Sequence, residues 1–330
     1  MIKRHTYGYI IIYIYTNCHY WGKRIHMGHI GTIIKKTRQD MGISRKKFSE
    51  NICSEKYIYY IEKGERSPSA NMLKQLSERL GVNLFKYYKY IDCQEPFAVK
   101  EKMEQLNISR INLDFESLKE LLTEAENMTD FKNKPWIYEI YFNRLYCRVY
   151  GEKKFKESLP VLETVLKEAK NDKADELFIA NVYAILFSCY IVAGDRQKAK
   201  HSALTAYNIL RKKNKGEIYN RIIVNVMAAY YVDEEYDNVI ELGNNVLEIK
   251  KDKHSYARIN YIYLFMCLSY YREKRIEEAY NLLEKTIFFL MIDYRPTDVE
   301  YMVMVPGFTK MLKDFGDSDI VRRFMEKYKI

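Results

Sequence analysis

From residue 30 onward, apolar side chains return at helical spacing. Ile30, Ile33, Ile34, Thr37 and Met41 share one face, the 3.6-residue recurrence of an amphipathic helix, and Gly42 marks its stop. Ser44 is placed to cap a second helix whose Phe48 and Ile52 face inward. Cys53 and Ser54 make a tight turn into a third helix over 55–63, with Ile58 and Ile61 as its buried face and Gly64 at its end. Ser67-Pro68-Ser69 restarts the chain, and Met72, Leu73, Leu76 and Leu80 define a fourth amphipathic helix closed by Gly81.

Past Pro96 and a connecting helix near 99–108, the pattern becomes helix after helix with short polar breaks. An aromatic or apolar residue followed three later by a small or apolar one recurs as Phe115/Leu118, Phe155/Ser158, Tyr236/Val239 and Ile276/Ala279, with Ala199 standing alone as a second member. The second members are 40, 41, 40 and 40 residues apart, and a sixth unit would place its anchor at Asp319. Each interval holds two amphipathic helices, as over 177–192 and 197–210, or 256–271 and 276–290. Units of this kind bury their apolar stripes only by stacking, which predicts a curved superhelix with an inner groove suited to extended peptides or helices. The fold class expected is all-α: a helix-turn-helix bundle over 28–92, a linker and connecting helix over 93–113, and a repeat domain over 114–330. The scarcity of glycine and proline, 13 and 6 copies, fits long helices better than a turn-rich β architecture.

Charge divides unevenly. Residues 28–92 carry 13 basic and 7 acidic side chains, whereas 93–330 carry 37 of each. A basic excess confined to one small module is the footprint of a surface facing phosphates. Residues 1–27 add four basic groups and no acid. There Lys3 and Arg4 precede an apolar run over 7–15, too short to span a bilayer and followed by no small-residue cleavage site. Residues 1–27 are therefore expected to be an extension outside the fold, with translation starting at Met27, and no membrane association is expected. The cysteines Cys18, Cys53, Cys93, Cys147, Cys189 and Cys267 are scattered, and His201 and His254 are isolated, so reduced thiols and no metal site are expected. No phosphate-cradling glycine loop, no H-E-x-x-H and no clustered acid, base and nucleophile is present, so no enzyme and no cofactor is expected.

The basic opening after Ser44, the run Ile61-Glu62-Lys63-Gly64, the Ser67-Pro68-Ser69 restart and the helix around Leu76 and Leu80 together resemble the lambda-repressor-like, XRE-type DNA-binding domain. The shortened turn and the string Ser49-Glu50-Asn51-Ile52-Cys53 are similar to the PlcR-type branch of the RRNPP peptide-responsive regulators of Gram-positive bacteria. Ser49 stands where many members carry Ala, and Tyr57, Tyr59 and Tyr60 are unusual. The resemblance implies a cytoplasmic homodimeric transcription regulator that places its third helix in the major groove of double-stranded DNA. On that pattern Glu55, Lys56, Tyr57 and Tyr60 are the candidates for base contact, and Ser44, Arg45, Lys46 and Arg66 for phosphate contact. For Tyr59, packing sideways and facing outward remain equal alternatives.

The repeats resemble the tetratricopeptide repeat, with units longer than usual. Asparagines recur in the first helix of successive units as Asn143, Asn181, Asn225 and Asn260. A side-chain amide both donates and accepts, so a row of them can hold a peptide backbone. The resemblance implies that an Asn in this helix binds a signalling peptide, and Asn225 best matches the place. For each of the four the alternative is a polar side chain solvated on the helix surface. Two other functions stay open: a protein-protein regulator of a phosphorelay, and a repeat scaffold without specific DNA binding.

Overall fold

A computed structural model describes residues 28–172, 174–211, 216–252, 258–292 and 299–329. The expected extension 1–27 with its start at Met27, and His254, lie outside the described residues. Among the described residues all regular structure is helical, and the chain divides into two compact units between Asn143 and Arg144.

The first unit opens with α1 (Ile30–Asp40), α2 (Arg45–Ser49), α3 (Glu55–Glu62) and α4 (Ala70–Leu80). Serine hydroxyls start three of them: Ser44 accepts from the Lys47 amide, Ser54 from Tyr57 and Ser69 from Met72, each at 3.2 Å. Gly42, Gly64 and Gly81 follow α1, α3 and α4 with φ of +67°, +78° and +61°, a region that other residues enter only at a cost. Ile33, Ile34, Phe48, Ile58, Ile61, Leu73 and Leu76 fill one core, each contributing roughly 1.5–3 kcal/mol of transfer free energy. Gly31 lets α1 lie directly on α3, since a Cβ there would overlap the Ile61 carbonyl. Two expectations need correction. Met41 lies beyond the end of α1 and is exposed, and Ile52 is half-buried in the turn rather than on α2, which stops at Ser49. The helix is cut short because Asn51 takes a left-handed conformation, φ 60°.

After a 3₁₀ turn (Leu84–Tyr90) come α5 (Pro96–Ile111), α6 (Phe115–Asn127) and α7 (Ile137–Tyr146). The Asp130 carboxylate accepts from the Gln94 and Glu95 amides at 2.8 and 3.0 Å, fixing the entry to α5. A π-helical turn (Cys147–Gly151) continues α7. The second unit contains α8 (Phe155–Asn171), α9 (Glu176–Ala193), α10 (Arg196–Leu210), α11 (Gly216–Val232), α12 (Tyr236–Asp252), α13 (Ile259–Arg272), α14 (Ile276–Ile292), α15 (Val299–Asp314) and α16 (Asp319–Tyr328).

The repeat is written in the backbone. Left-handed residues end successive first helices at Leu113, Lys153, Gly194, Glu234 and Lys274, spaced 40, 41, 40 and 40. At four of these corners the next amide reaches back five residues, from Asp114 to Ser109, Asp195 to Tyr190, Glu235 to Tyr230 and Arg275 to Tyr270, at 2.9–3.0 Å, which is the 6→1 closure of a helix C-terminus. The fifth corner, where the π-helical turn adds a residue, bonds Lys154 to Arg148 instead. The second helices start at the expected Phe115, Phe155, Tyr236 and Ile276, and Leu118, Ser158, Ala199, Val239 and Ala279 are all buried. The sixth anchor differs: Asp319 is exposed at the start of α16, whose buried residues are Val321 and Phe324.

In the second unit α9 packs against α8, α10 and α11, which explains its apolar character on every side. It is long and apolar enough to cross a membrane by composition, and 61% of it is buried inside the fold. Cys147, Cys189 and Cys267 are buried thiols outside any disulfide, and burial pushes the latter two up to about 12. Cys53 and Cys93 are only half-buried.

Candidate functional site

The polar hub of the N-terminal bundle is Glu62, the last residue of α3. Its carboxylate accepts from Arg38 Nε at 2.6 Å, Arg38 Nη2 at 3.2 Å and Arg45 Nε at 2.7 Å. The side chains of Glu62 and Arg38 are almost fully buried. Arg38 also donates to the Ile43 carbonyl at 2.6 Å. One carboxylate thus ties α1, the turn after it and α2 to the end of α3. A second clamp works from α4, where Arg79 Nη1 donates to the carbonyls of Lys47, Phe48 and Glu50 at 3.1, 3.1 and 2.5 Å. These carbonyls close α2 and have no helical partner of their own.

With α3 held on its Ile58, Ile61 and Glu62 side, the opposite side faces solvent. Glu55 and Lys56 are exposed in the first turn, and the Lys56 ammonium lies 5.9 Å from the Tyr60 ring centre. Tyr60 is half-buried. Tyr57 turns partly inward against the bundle core, and its hydroxyl donates to the Ser67 carbonyl at 3.4 Å. Tyr59 settles on the outward side: it is exposed, with Lys63 at 4.7 Å and Arg45 at 5.4 Å from its ring. Its hydroxyl raises the Lys63 ammonium above the usual lysine range. Sequence reasoning left this residue undecided, although its i,i+4 relation to Glu55 puts both on one helical face.

Of the phosphate-contact candidates, Ser44, Lys46 and Arg66 are exposed, whereas Arg45 is half-buried and spends its Nε on Glu62. Ser44 uses its oxygen as an acceptor for the α2 cap, which leaves the O–H as a donor.

The four asparagines separate. Asn181 on α9 and Asn225 on α11 each bond across these two helices, Asn181 to Arg221 and Asn225 to the Ala184 carbonyl, while Asn143 lies in the first unit and Asn260 is buried on α13. Asn143 is fully buried, donates to the Glu139 carbonyl at 2.8 Å and accepts from Arg110 Nη1 at 3.0 Å. Asn225, 1% exposed, donates to the Ala184 carbonyl at 3.4 Å, and its Oδ1 is buried with no partner. Asn181 is half-buried and accepts from Arg221 Nη2 at 3.3 Å. Sequence reasoning missed Arg221, which sits one turn before Asn225; the i,i+4 spacing of a cation and an amide was the available signal. Among the described residues no group of His, Cys, Asp or Glu is placed to hold a metal ion.

This is a helix-turn-helix bundle joined to a body of helical repeats. Comparison with known proteins agrees: the helix-turn-helix family matches residues 34–86, and the chain carries that domain. The crystal structure of Bacillus thuringiensis PlcR in complex with the peptide PapR7 and DNA is similar over 80% of this chain and 95% of that one, at TM-score 0.62 and 19% identity. ComR from S. thermophilus, in complex with DNA and its signalling peptide ComS, aligns over 85% of this chain and 99% of that one, at TM-score 0.47 and 16% identity. The PlcR likeness establishes the shared all-helical fold. No curated protein matches the chain.

Proposed function

We propose that this protein is a sequence-specific DNA-binding transcription regulator controlled by a peptide bound in its repeat domain. The observation that carries the reading is the presentation of α3. Its inner side is locked by Ile58, Ile61 and the Glu62 hub, and its first turn offers Glu55 and Lys56 to solvent beside the exposed Lys46 and Arg66. Lys56 can donate to guanine acceptors and Glu55 can accept from cytosine, while Ser44, Lys46 and Arg66 neutralise phosphates. Tyr57 and Tyr60 add a polar and apolar flank, and Arg45 reaches phosphate with the guanidinium nitrogens that Glu62 does not engage.

The peptide part of the reading is supported by the unsatisfied amide of Asn225, with Asn181 beside it and Asn143 and Asn260 on other first helices. PlcR, with a similar fold, was crystallised with both a peptide and DNA. The working organisation is a module over 28–92 for DNA, a linker and connecting helix over 93–113, and a sensor and dimerisation domain over 114–330. As a homodimer in the cytoplasm it would read two half-sites about one helical turn apart.

Mapping the genomic sites occupied by the protein, with and without culture supernatant, tests the proposal. A shared motif whose occupancy changes with supernatant is expected. Occupancy that follows no motif under either condition contradicts it.

A further inference from the structure

Among the described residues Arg221 is a cation without a counter-charge. It sits half-buried on α11 with its Nε sealed from solvent and unpartnered. What it does touch is neutral: the Asn181 amide oxygen at 3.3 Å from Nη2, and the face of the Tyr146 ring, whose centre lies 5.8 Å away. Among the described residues no carboxylate pairs with it. The buried Arg38 and half-buried Arg45 of the first unit, by contrast, share the Glu62 carboxylate. Holding a guanidinium partly out of water against neutral groups is unfavourable until an anion arrives. One helical turn further on, Asn225 leaves an acceptor buried without a donor. An orphaned donor on Arg221 and an orphaned acceptor on Asn225, on one face of one helix, are the two halves of a site for a group carrying both a carboxylate and a neighbouring N–H.

We propose that Arg221, oriented by Asn181 and lying over Tyr146, is the anion subsite of the repeat domain and binds a carboxylate of the peptide ligand while Asn225 takes an adjacent backbone N–H. The assignment rests on the peptide reading above and makes it specific: the ligand is a peptide recognised through its acid group. Planar, two-pronged recognition explains an arginine here rather than a lysine. A peptide offers that carboxylate from its C-terminus or from an Asp or Glu side chain.

The test is equilibrium selection by the immobilised full-length protein from random heptapeptide libraries, read by mass spectrometry. One library has free C-termini and no Asp or Glu, one has amidated C-termini with Asp and Glu included, and one is amidated and free of both acids. Wild type is expected to recover peptides from one or both carboxylate-bearing libraries at least about 10-fold above the acid-free one, and the library that answers names the source. Arg221→Gln should bring all three to a common low level, and Arg221→Lys should keep part of the preference. Matched melting curves show that both variants fold, and should Arg221→Gln not fold, the wild-type and Arg221→Lys selections carry the comparison. Wild type recovering the three libraries equally, or Arg221→Gln keeping the preference, overturns the anion subsite and leaves peptide binding intact. Wild type recovering nothing from any library overturns the peptide reading and this subsite with it.

Discussion

The two compact units differ in how they treat the polar groups of their candidate sites. In the N-terminal bundle the groups that position α3 are paired: Glu62 takes two arginines, Arg79 takes three carbonyls, and three serines cap three helices. In the second unit the first helices keep buried groups unsatisfied, namely Asn225 Oδ1, Arg221 Nε and Ser269 Oγ. A buried polar atom without a partner costs about 1–3 kcal/mol, a penalty that the proposed ligand would relieve in the second unit. The contrast suits a reading head that must be rigid before it meets DNA and a sensor that is completed by what it senses. The first unit has unpartnered buried atoms as well, His29 Nδ1, whose ring packs against Gly64 just after α3, and Gln105 Oε1.

The largest predicted effect breaks the head. Glu62→Ala leaves Arg38 charged and buried, and urea unfolding should show a loss of about 3–5 kcal/mol. Asn225→Leu is the counterpart in the second unit: it removes an unpartnered acceptor together with one long hydrogen bond and should change stability by no more than about 1 kcal/mol in the same assay, while abolishing the proposed peptide binding. Similar losses in both variants would erase the distinction drawn between the units.

A smaller effect concerns the repeat corners. Gly194 occupies its left-handed position freely, whereas Glu234 and Lys274 hold equivalent positions with side chains. Gly194→Ala should destabilise by about 1 kcal/mol and Lys274→Gly should stabilise by a similar amount, read from denaturant midpoints. Equal signs for the two would mean that the corners are not equivalent.

The smallest effect is on pH. Hydrogen bonding to Ser117, through its side chain and its amide, holds the Asp114 carboxyl below its ordinary value. A group lowered by folding stabilises above its unfolded pKa and loses that contribution as pH falls through its folded pKa. The corner before α6 should therefore weaken on acidification below the usual carboxylate range. Asp114→Asn, which caps without titrating, should flatten that part of a stability profile measured between neutral and acid pH.

Much of this was legible in sequence because it is local. The cap Ser44, the restart at Ser67-Pro68-Ser69, the stops at Gly42, Gly64 and Gly81, and the 40-residue spacing depend on neighbours a few residues away or on strict recurrence. The Glu62 hub was not legible, since Arg38 lies 24 residues from it and the two meet only once α1 is packed on α3. Arg79 escaped for the same reason: its partners are 29 to 32 residues earlier. The asparagines were found by recurrence, yet nothing in a one-dimensional pattern separates Asn143, satisfied by Arg110, from Asn225, left with a bare acceptor. Tyr57 and Tyr59 exchanged prominence because a tyrosine fits a half-buried or an exposed place equally well, and packing against the Ser67 turn decides which.

The claim that α3 reads sequence while the flanking basic residues only grip the backbone is tested most directly by comparing Lys56→Ala with Lys46→Ala on a selected duplex and on random DNA, across a range of salt. The account predicts that Lys56→Ala weakens the selected duplex alone, by about 1–3 kcal/mol, and that Lys46→Ala weakens both and lowers the salt slope by about one. Indistinguishable behaviour of the two variants would contradict it.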